Sequence, residues 1–376
     1  MSVKLSRIPH LRAVGTLLLL TASTALSLHA ATTESNLEKT FAVKPGGELL
    51  IEADRGSIDI STSDSAELVI EVRRKISNVS AQKAAEVFEA HVVTFEQDGD
   101  RVSVRARVKE EARRVFDRGV QNFQVEYRVK APKQFDFDLR TAAGSISSSD
   151  IDGKVKARTA GGSLKFAAIS GTLEGNTSAG NIRAGAIGGV VTATTSGGNI
   201  QIEEMAEGGK VNTSAGSITV NRSKAKLAAT TAGGSIHIGE FDGSANLSTS
   251  AGSIEVRSAR GPLAAHTSGG SISIEDAQDT VNADTSAGGI TAAFSAQPTG
   301  DCKLRTSGGS VTVKLDSELA FDVDAKTSGG RVTTEIPVAM VITGEARNEG
   351  IKGKINGGGK ALLLRTSAGN VTIRKK

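Results

Sequence analysis

The chain is short of most things that pin a protein together or mark its chemistry. Its 376 residues include one cysteine (Cys302), no tryptophan, one tyrosine, six prolines and eleven phenylalanines. A single thiol forms no disulfide within one chain, so packing must hold the fold even in an oxidising compartment. It also leaves no cysteine directly after a leader to carry a lipid. Histidine is as scarce: past residue 31 only His91, His237 and His266 remain, without H-x-x-x-H or C-x-x-C spacing, so no metal site is expected. Charge of one sign is missing too. The formal net charge is +4, but Lys4, Arg7 and Arg12 sit in an acid-free stretch of 30 residues; without them 42 basic residues face 41 acidic ones. A chain so nearly neutral has no electrostatic footprint for a phosphate backbone, and no nucleic-acid partner is expected. There is no G-x-x-x-x-G-K-[ST] loop, and paired glycines such as Gly197-Gly198 precede no helix, so no cofactor is expected.

Long apolar runs are also lacking, with one exception. The basic opening MSVKLSRIPHLR leads into Ala13–Leu28 and then His29-Ala30-Ala31. These are the parts of a secretory signal, so residues 1–30 read as a signal peptide cleaved near Ala30 or Ala31. The run is broken by Gly15, Thr16, Thr21, Ser23 and Thr24, and falls short of the ~20 residues that a membrane span needs. No transmembrane segment is expected after signal removal, and the destination is the periplasm, the cell surface or the medium.

Glycine, by contrast, is abundant, at 43 residues. With 38% apolar and 23% charged residues the composition is that of a folded chain, neither collagen-like nor disordered. The glycines are in order. A Thr-[Ser/Ala]-[Ala/Gly]-Gly tetrad starts at Thr141, Thr159, Thr177, Thr195, Thr213, Thr231, Thr249, Thr267 and Thr285, always 18 residues apart. It returns at Thr306 and Thr327 after 21-residue steps and at Thr366 after 39, where Gly350 divides the gap and reads as a worn repeat. A short fixed period marks a solenoid or repeat array. The closing glycines, Gly144, Gly162, Gly180, Gly198, Gly216, Gly234, Gly252, Gly270, Gly288, Gly309, Gly330 and Gly369, are the expected structural positions, at corners left-handed or too tight for a Cβ.

Two residues past each glycine stands an aliphatic side chain, from Ile146 through Ile200 and Ile254 to Val371, and often another two further on. The segment before each Thr alternates as well, as in Val191/Ala193 and Leu263/Ala265. Period two means strands with one buried face. Each unit is therefore strand, glycine corner, strand, looser corner. Its few aliphatic side chains cannot offset the entropy of ordering eighteen residues, so units must stack. The expected fold is all-β: a parallel β-solenoid (β-helix) of 18-residue repeats over 141–376, with an N-terminal β-rich or α+β cap over 32–140. A dozen laps at strand spacing give a rod on the order of 50–60 Å. The third tetrad position alternates Ala and Gly, which leaves a 36-residue coil open. The competing antiparallel meander would leave one vast open sheet. The terminal Arg374, Lys375 and Lys376 are placed to discourage further strands at an open edge.

The cap holds seven of the eleven phenylalanines and Tyr127. Strands are expected near 47–53, 57–61, 68–74, 101–107 and 123–129, and one helix over Ala81–Ala90 with Ser80 as N-cap. Asp54-Arg55-Gly56-Ser57-Ile58 already echoes the repeat.

Together, the Thr-Ser-x-Gly-x-Ile units, the closing KGKINGGGKALLLRTSAGNVTI of 352–373, and FQVEYRVKAP followed by FDFDLRTAAGSI at the entry carry a likeness. Over roughly 40–376 the chain resembles the bacterial "putative adhesin" family of exported β-strand-repeat proteins, defined by a domain of unknown function. The resemblance implies an extracytoplasmic β-helical protein with an adhesive or envelope role and brings no catalytic residues with it.

Candidate chemistry is sparse. Asp322 and Asp324 share one strand face, the minimum for a glycan-cleaving carboxylate pair, beside Lys326 on what otherwise reads as a solvated face. Glu203, Glu204 and Glu207 read as exposed charge at a corner. The Thr row reads as hydroxyls satisfying backbone at the corners rather than as a water-ordering lattice. Phe166 and Phe241 fall at inward positions, which argues against aromatic sugar platforms. Arg113, Arg114 and Arg118 form a basic cluster balanced by Glu110, Glu111 and Asp117. The reading is an exported, non-enzymatic interaction protein, adhesin or envelope scaffold, with an unknown protein or glycan partner; the alternative is a polysaccharide-active enzyme on a β-helix.

Overall fold

The computed structural model describes residues 32–112, 122–339 and 350–376. The leader assigned to 1–30 and the cluster Arg113, Arg114 and Arg118 lie outside the described residues. The strands assemble into two sheets of sixteen. In the repeats every lap gives one strand to each sheet. Val191–Thr195 lies in one sheet and Ile200–Met205 in the other; Gly209–Thr213 then returns to stack in parallel on Val191–Thr195. Ile182, Ile200 and Ile218 are direct partners, so one lap is 18 residues and the 36-residue coil is excluded. Parallel register likewise excludes the meander. Among the described residues antiparallel pairs occur only towards the two ends. Sixteen strands at ~4.8 Å make a rod about 70 Å long.

The core is the space between the sheets. Ile182, Ile200, Ile218, Ile236, Ile254, Ile272 and Ile290 stack there, none more than 1% exposed. The corner glycines are required because successive laps touch. A Cβ on Gly198 would stand 2.1 Å from the carbonyl oxygen of Gly180, and one on Gly216 2.0 Å from that of Gly198. Of the twelve, only Gly144 has a left-handed φ, 140°; elsewhere close approach, not conformation, demands glycine. Each corner Thr points inward. Thr267 Oγ1 donates to Gly252 O of the neighbouring lap at 2.8 Å and accepts from Gly270 N of its own lap at 3.3 Å. One hydroxyl thus satisfies two backbone groups that would otherwise be buried unpaired.

Both ends depart from chain order. Gly47–Ala53 and Ser57–Ser63 form a lap that stacks on Phe135–Thr141 and Ile146–Ser148, so both sheets pass residue 140 without a break. On its other side lie Arg101–Val108 and Phe123–Pro132, also parallel. The first lap is thus held between two later ones, with Gly56 as its corner: Thr141 Oγ1 donates to Gly56 O at 3.0 Å. The helix Ala81–Ala90 lies at this end; Ser80 caps it by accepting from Lys83 N at 3.2 Å, and Ala84 and Val87 are buried.

At the far end the final strands, Lys360–Thr366 and Val371–Lys375, slot between the lap of Cys302–Thr306 and Val311–Leu315 and the lap of Phe321–Thr327 and Val332–Thr334. The corner ladder follows space rather than sequence: Thr366 donates to Gly309 O and Thr327 to Gly369 O, both at 2.7 Å. Two expectations are corrected. Val371–Ile373 is paired on both sides, and Arg374 and Lys375 on one, so the chain's last strand lies inside Val332–Thr334 and does not form the outermost edge of its sheet. Gly350 opens the strand Gly350–Ile355, which runs antiparallel to Phe321–Thr327 and is no repeat. No Thr stands three residues ahead of it to close a corner.

Candidate functional site

Because each strand alternates, every second residue of the repeats is set on one of two flat outer faces. Asp322 and Asp324 do share one, on Phe321–Thr327. Asp324 is tied to Arg365, Nη2 to Oδ2 at 2.7 Å. Two acids side by side on a flat sheet, one of them held by a guanidinium, do not flank a sugar bond from opposite sides. The polysaccharide-cleaving alternative finds no support. Glu203 and Glu204 belong to polar rows on the other face: Glu203 accepts from Gln201 at 3.1 Å, and Glu204 pairs with Lys224 and, at 3.5 Å, with Arg222. Hydrogen bonding from Lys224 holds the Glu204 carboxyl below the usual range. Glu207 is exposed at the corner.

Phe166 and Phe241 are core, as are Phe294 and Phe321, so no aromatic of the repeats stands on an outer face. Cys302 is buried, and burial pushes its thiol up to about 11, away from nucleophilic use. Among the described residues no group of three or more His, Cys, Asp and Glu side chains could hold a metal ion. His237 meets Glu255 at 3.0 Å and His266 meets Asp284 at 3.4 Å, both exposed cross-lap pairs.

One constellation escapes sequence reasoning. Where the out-of-order laps meet the helix, Arg74 is buried and donates through Nη1 to Phe88 O (2.9 Å) and His91 O (3.1 Å), and through Nη2 to Ser35 Oγ (2.7 Å). His91, only 1% exposed, stacks edge-on against Phe123 with ring centres 5.4 Å apart. Neither of its nitrogens, nor Arg74 Nε, nor the Tyr127 hydroxyl finds a hydrogen-bond partner among the described residues. Burial, reinforced by Arg74 and Arg55, drives the His91 imidazole down to about 4. Burial likewise raises the Tyr127 phenol and lowers the Arg74 guanidinium. Beside this cluster opens a cleft of about 730 Å³, with Arg73, Arg74 and Lys75 facing Glu34, Asp54 and Glu126. Its charges are of both signs, and Ser57 is the hydroxyl side chain on its wall. No motif spacing links these residues; only the lap order brings them together.

The outer faces themselves differ. One carries alternating charge: Arg222 pairs with Glu204 and Glu240, and Arg260 reaches both Glu240 (3.1 Å) and Asp242 (2.7 Å). The middle of the other is small and mostly uncharged, with Thr192, Thr194, Asn212, Thr230, Asn246 and Ser248 on four successive strands and Lys210 as the charge among them.

The family model described as Toastrack DUF4097 matches residues 48–374. No curated protein matches the chain. Among solved structures it is similar to a "putative adhesin" from Bacteroides fragilis at 11% identity, covering 91% of this chain and 97% of that one, with a TM-score of 0.27. A "putative cell adhesion protein" from Clostridium sporogenes is 12% identical over 91% and 100% of the two chains, with a TM-score of 0.18. A "putative lipid binding protein" from Parabacteroides distasonis is 14% identical over 91% and 96%, with a TM-score of 0.28.

Proposed function

The chain belongs to the Toastrack DUF4097 family, and we propose that within it this protein is an exported, non-enzymatic scaffold that binds an envelope or surface partner through its outer faces. The observation that carries the proposal is the division of labour along each strand. Inward positions are spent on packing and on the Thr–Gly corners, while outward positions form two long, flat polar faces on a stacked rod. Flat surfaces of many exposed side chains suit recognition of a partner; catalysis needs convergent groups in a water-excluded site. Export rests on the leader of residues 1–30, whose removal near Ala30 or Ala31 would leave the solenoid in the periplasm, at the surface or outside. No helix among the described residues is long and apolar enough to cross a membrane.

The test is cell fractionation with N-terminal sequencing of the exported chain, followed by crosslinking to its neighbours in the envelope. A chain cleaved near Ala30 that crosslinks reproducibly to an envelope component supports the proposal. A chain retained in the cytoplasm, or one whose loss leaves attachment, aggregation and envelope integrity unchanged, contradicts it.

A further inference from the structure

At the C-terminal end of one sheet four strands lie side by side: Cys302–Thr306, Lys360–Thr366, Phe321–Thr327 and Gly350–Ile355. Their outward positions carry Lys303, Arg305, Lys326, Lys352 and Lys354, all exposed, together with Arg365. Arg305, Arg365 and Lys326 are direct partners across three adjacent strands, a row of like charge. Only Arg365 is tied to a carboxylate among the described residues, that of Asp324. Asp301 accepts from the Ala361 N–H, Asp322 and Asp324 stand opposite Lys354 and Lys352, and Asp284 of the next strand stands opposite Arg305.

Cations directly opposite one another on neighbouring strands destabilise a sheet. Elsewhere among the described residues like cations meet in single pairs, Lys165 with Arg183 and Lys314 with Arg374, rather than in a row of three. Glu204, Arg222 and Glu240 alternate in sign across their laps, and where Arg140 adjoins Arg158 each is held by a carboxylate. The imbalance is also regional. The described residues beyond 300 hold twelve Lys and Arg against six Asp and Glu, whereas residues 141–300 hold eleven against thirteen. A sheet face presents these charges in a plane rather than a groove, and Leu363 projects among them as an apolar contact.

We infer that this face docks onto an anionic lipid surface, the headgroups neutralising the cation row and Leu363 meeting the interface. The inference names one partner class for the binding role proposed above and rests on that role only for the protein's place in the cell. Each cation held near an anionic leaflet strengthens attachment about fivefold, and salt weakens it.

The experiment is co-sedimentation of the full-length mature protein with phosphatidylcholine vesicles, and with vesicles of equimolar phosphatidylcholine and phosphatidylglycerol. Binding to the second kind alone is expected, lost as salt is raised. The variant Arg305→Gln/Lys326→Gln/Lys352→Gln should bind about a hundredfold more weakly, while Lys165→Gln/Arg183→Gln/Arg257→Gln on the opposite sheet should leave binding unchanged. The first variant removes like-charge contacts (Arg305 and Lys326 with Arg365) and opposite-charge ones (Arg305 with Asp284, Lys352 with Asp324) together, so its thermal midpoint should stay near the parent's, which separates lost binding from lost folding. Equal binding to both vesicles, an unaffected first variant, or binding to heparin without binding to vesicles would overturn the inference. Failure here with envelope crosslinks intact would remove this surface and leave the proposed function standing.

Discussion

Replacing Gly234 by alanine puts the stacking of laps to its sharpest test. The added Cβ would lie 2.1 Å from Gly216 O and 2.4 Å from its carbonyl carbon, both backbone atoms that no rotamer change can move. Gly234 has no left-handed φ, so backbone strain does not enter. To reach ordinary contact the two laps must part by more than about 1 Å, against a spacing of ~4.8 Å that the flanking strand hydrogen bonds require. Overpacking costs about 1–3 kcal/mol, and stretching two or three interlap hydrogen bonds adds about 1 kcal/mol each. The expected loss is therefore about 3–6 kcal/mol. Gly233, one residue earlier, is the control. A Cβ there meets Ala215 O at 3.2 Å, a contact the outer turn can yield to, so Gly233→Ala should cost under about 1 kcal/mol. Urea titration followed by far-UV circular dichroism compares the two midpoints. Equal midpoints would falsify the claim that glycine is required by lap-on-lap contact.

Three further outcomes follow from the same geometry. Thr267→Val keeps shape but strips both hydrogen bonds from a fully buried hydroxyl, so it should cost about 1–3 kcal/mol, with Thr267→Ser recovering most of it in the same titration. His91 has its imidazole depressed to about 4 by burial, so the unfolded chain takes up its proton first; stability is full above pH ~6.5 and falls by about 3 kcal/mol as pH drops towards 4. His91→Leu should flatten that part of the pH–stability profile, and an unchanged slope would assign the acid sensitivity elsewhere. Leu364→Ala empties a fully buried site in the inserted final lap and should cost about 2–4 kcal/mol. Limited proteolysis should then cut within 302–376 while 141–294 stays protected, because each lap leans only on its neighbours.

The period of the tetrads made the lap legible in the sequence, and period two made the buried faces legible, because both are written in every repeat. Ser80 and the helix after it were equally readable, since capping is local. The ends were not. Every Thr-x-x-Gly corner offers the same hydroxyl and the same carbonyl, so Thr366 could close on Gly309 or on Gly330 equally well. The hairpin strand Gly350–Ile355 carries the chain past the outer lap before Lys360–Thr366 enters the slot, and no repeat encodes that detour. The same insertion makes Arg305, Arg365 and Lys326 neighbours, which chain order hides. At the other end, the buried group of Arg74, His91 and Tyr127 exists because later laps flank an earlier one, again a fact of spatial order alone.

The most direct measurement is a pulsed electron–electron distance between spin labels at Arg183→Cys and Thr291→Cys in a Cys302→Ala background. These positions occupy the same outward row, as the pairings from Arg183 to Gln201 through Ser273 to Thr291 show. Six parallel laps at ~4.8 Å place the labels about 29 Å apart. Two antiparallel strands per repeat would place them at about 58 Å, and a distance near that value would contradict the stacked solenoid on which both faces depend.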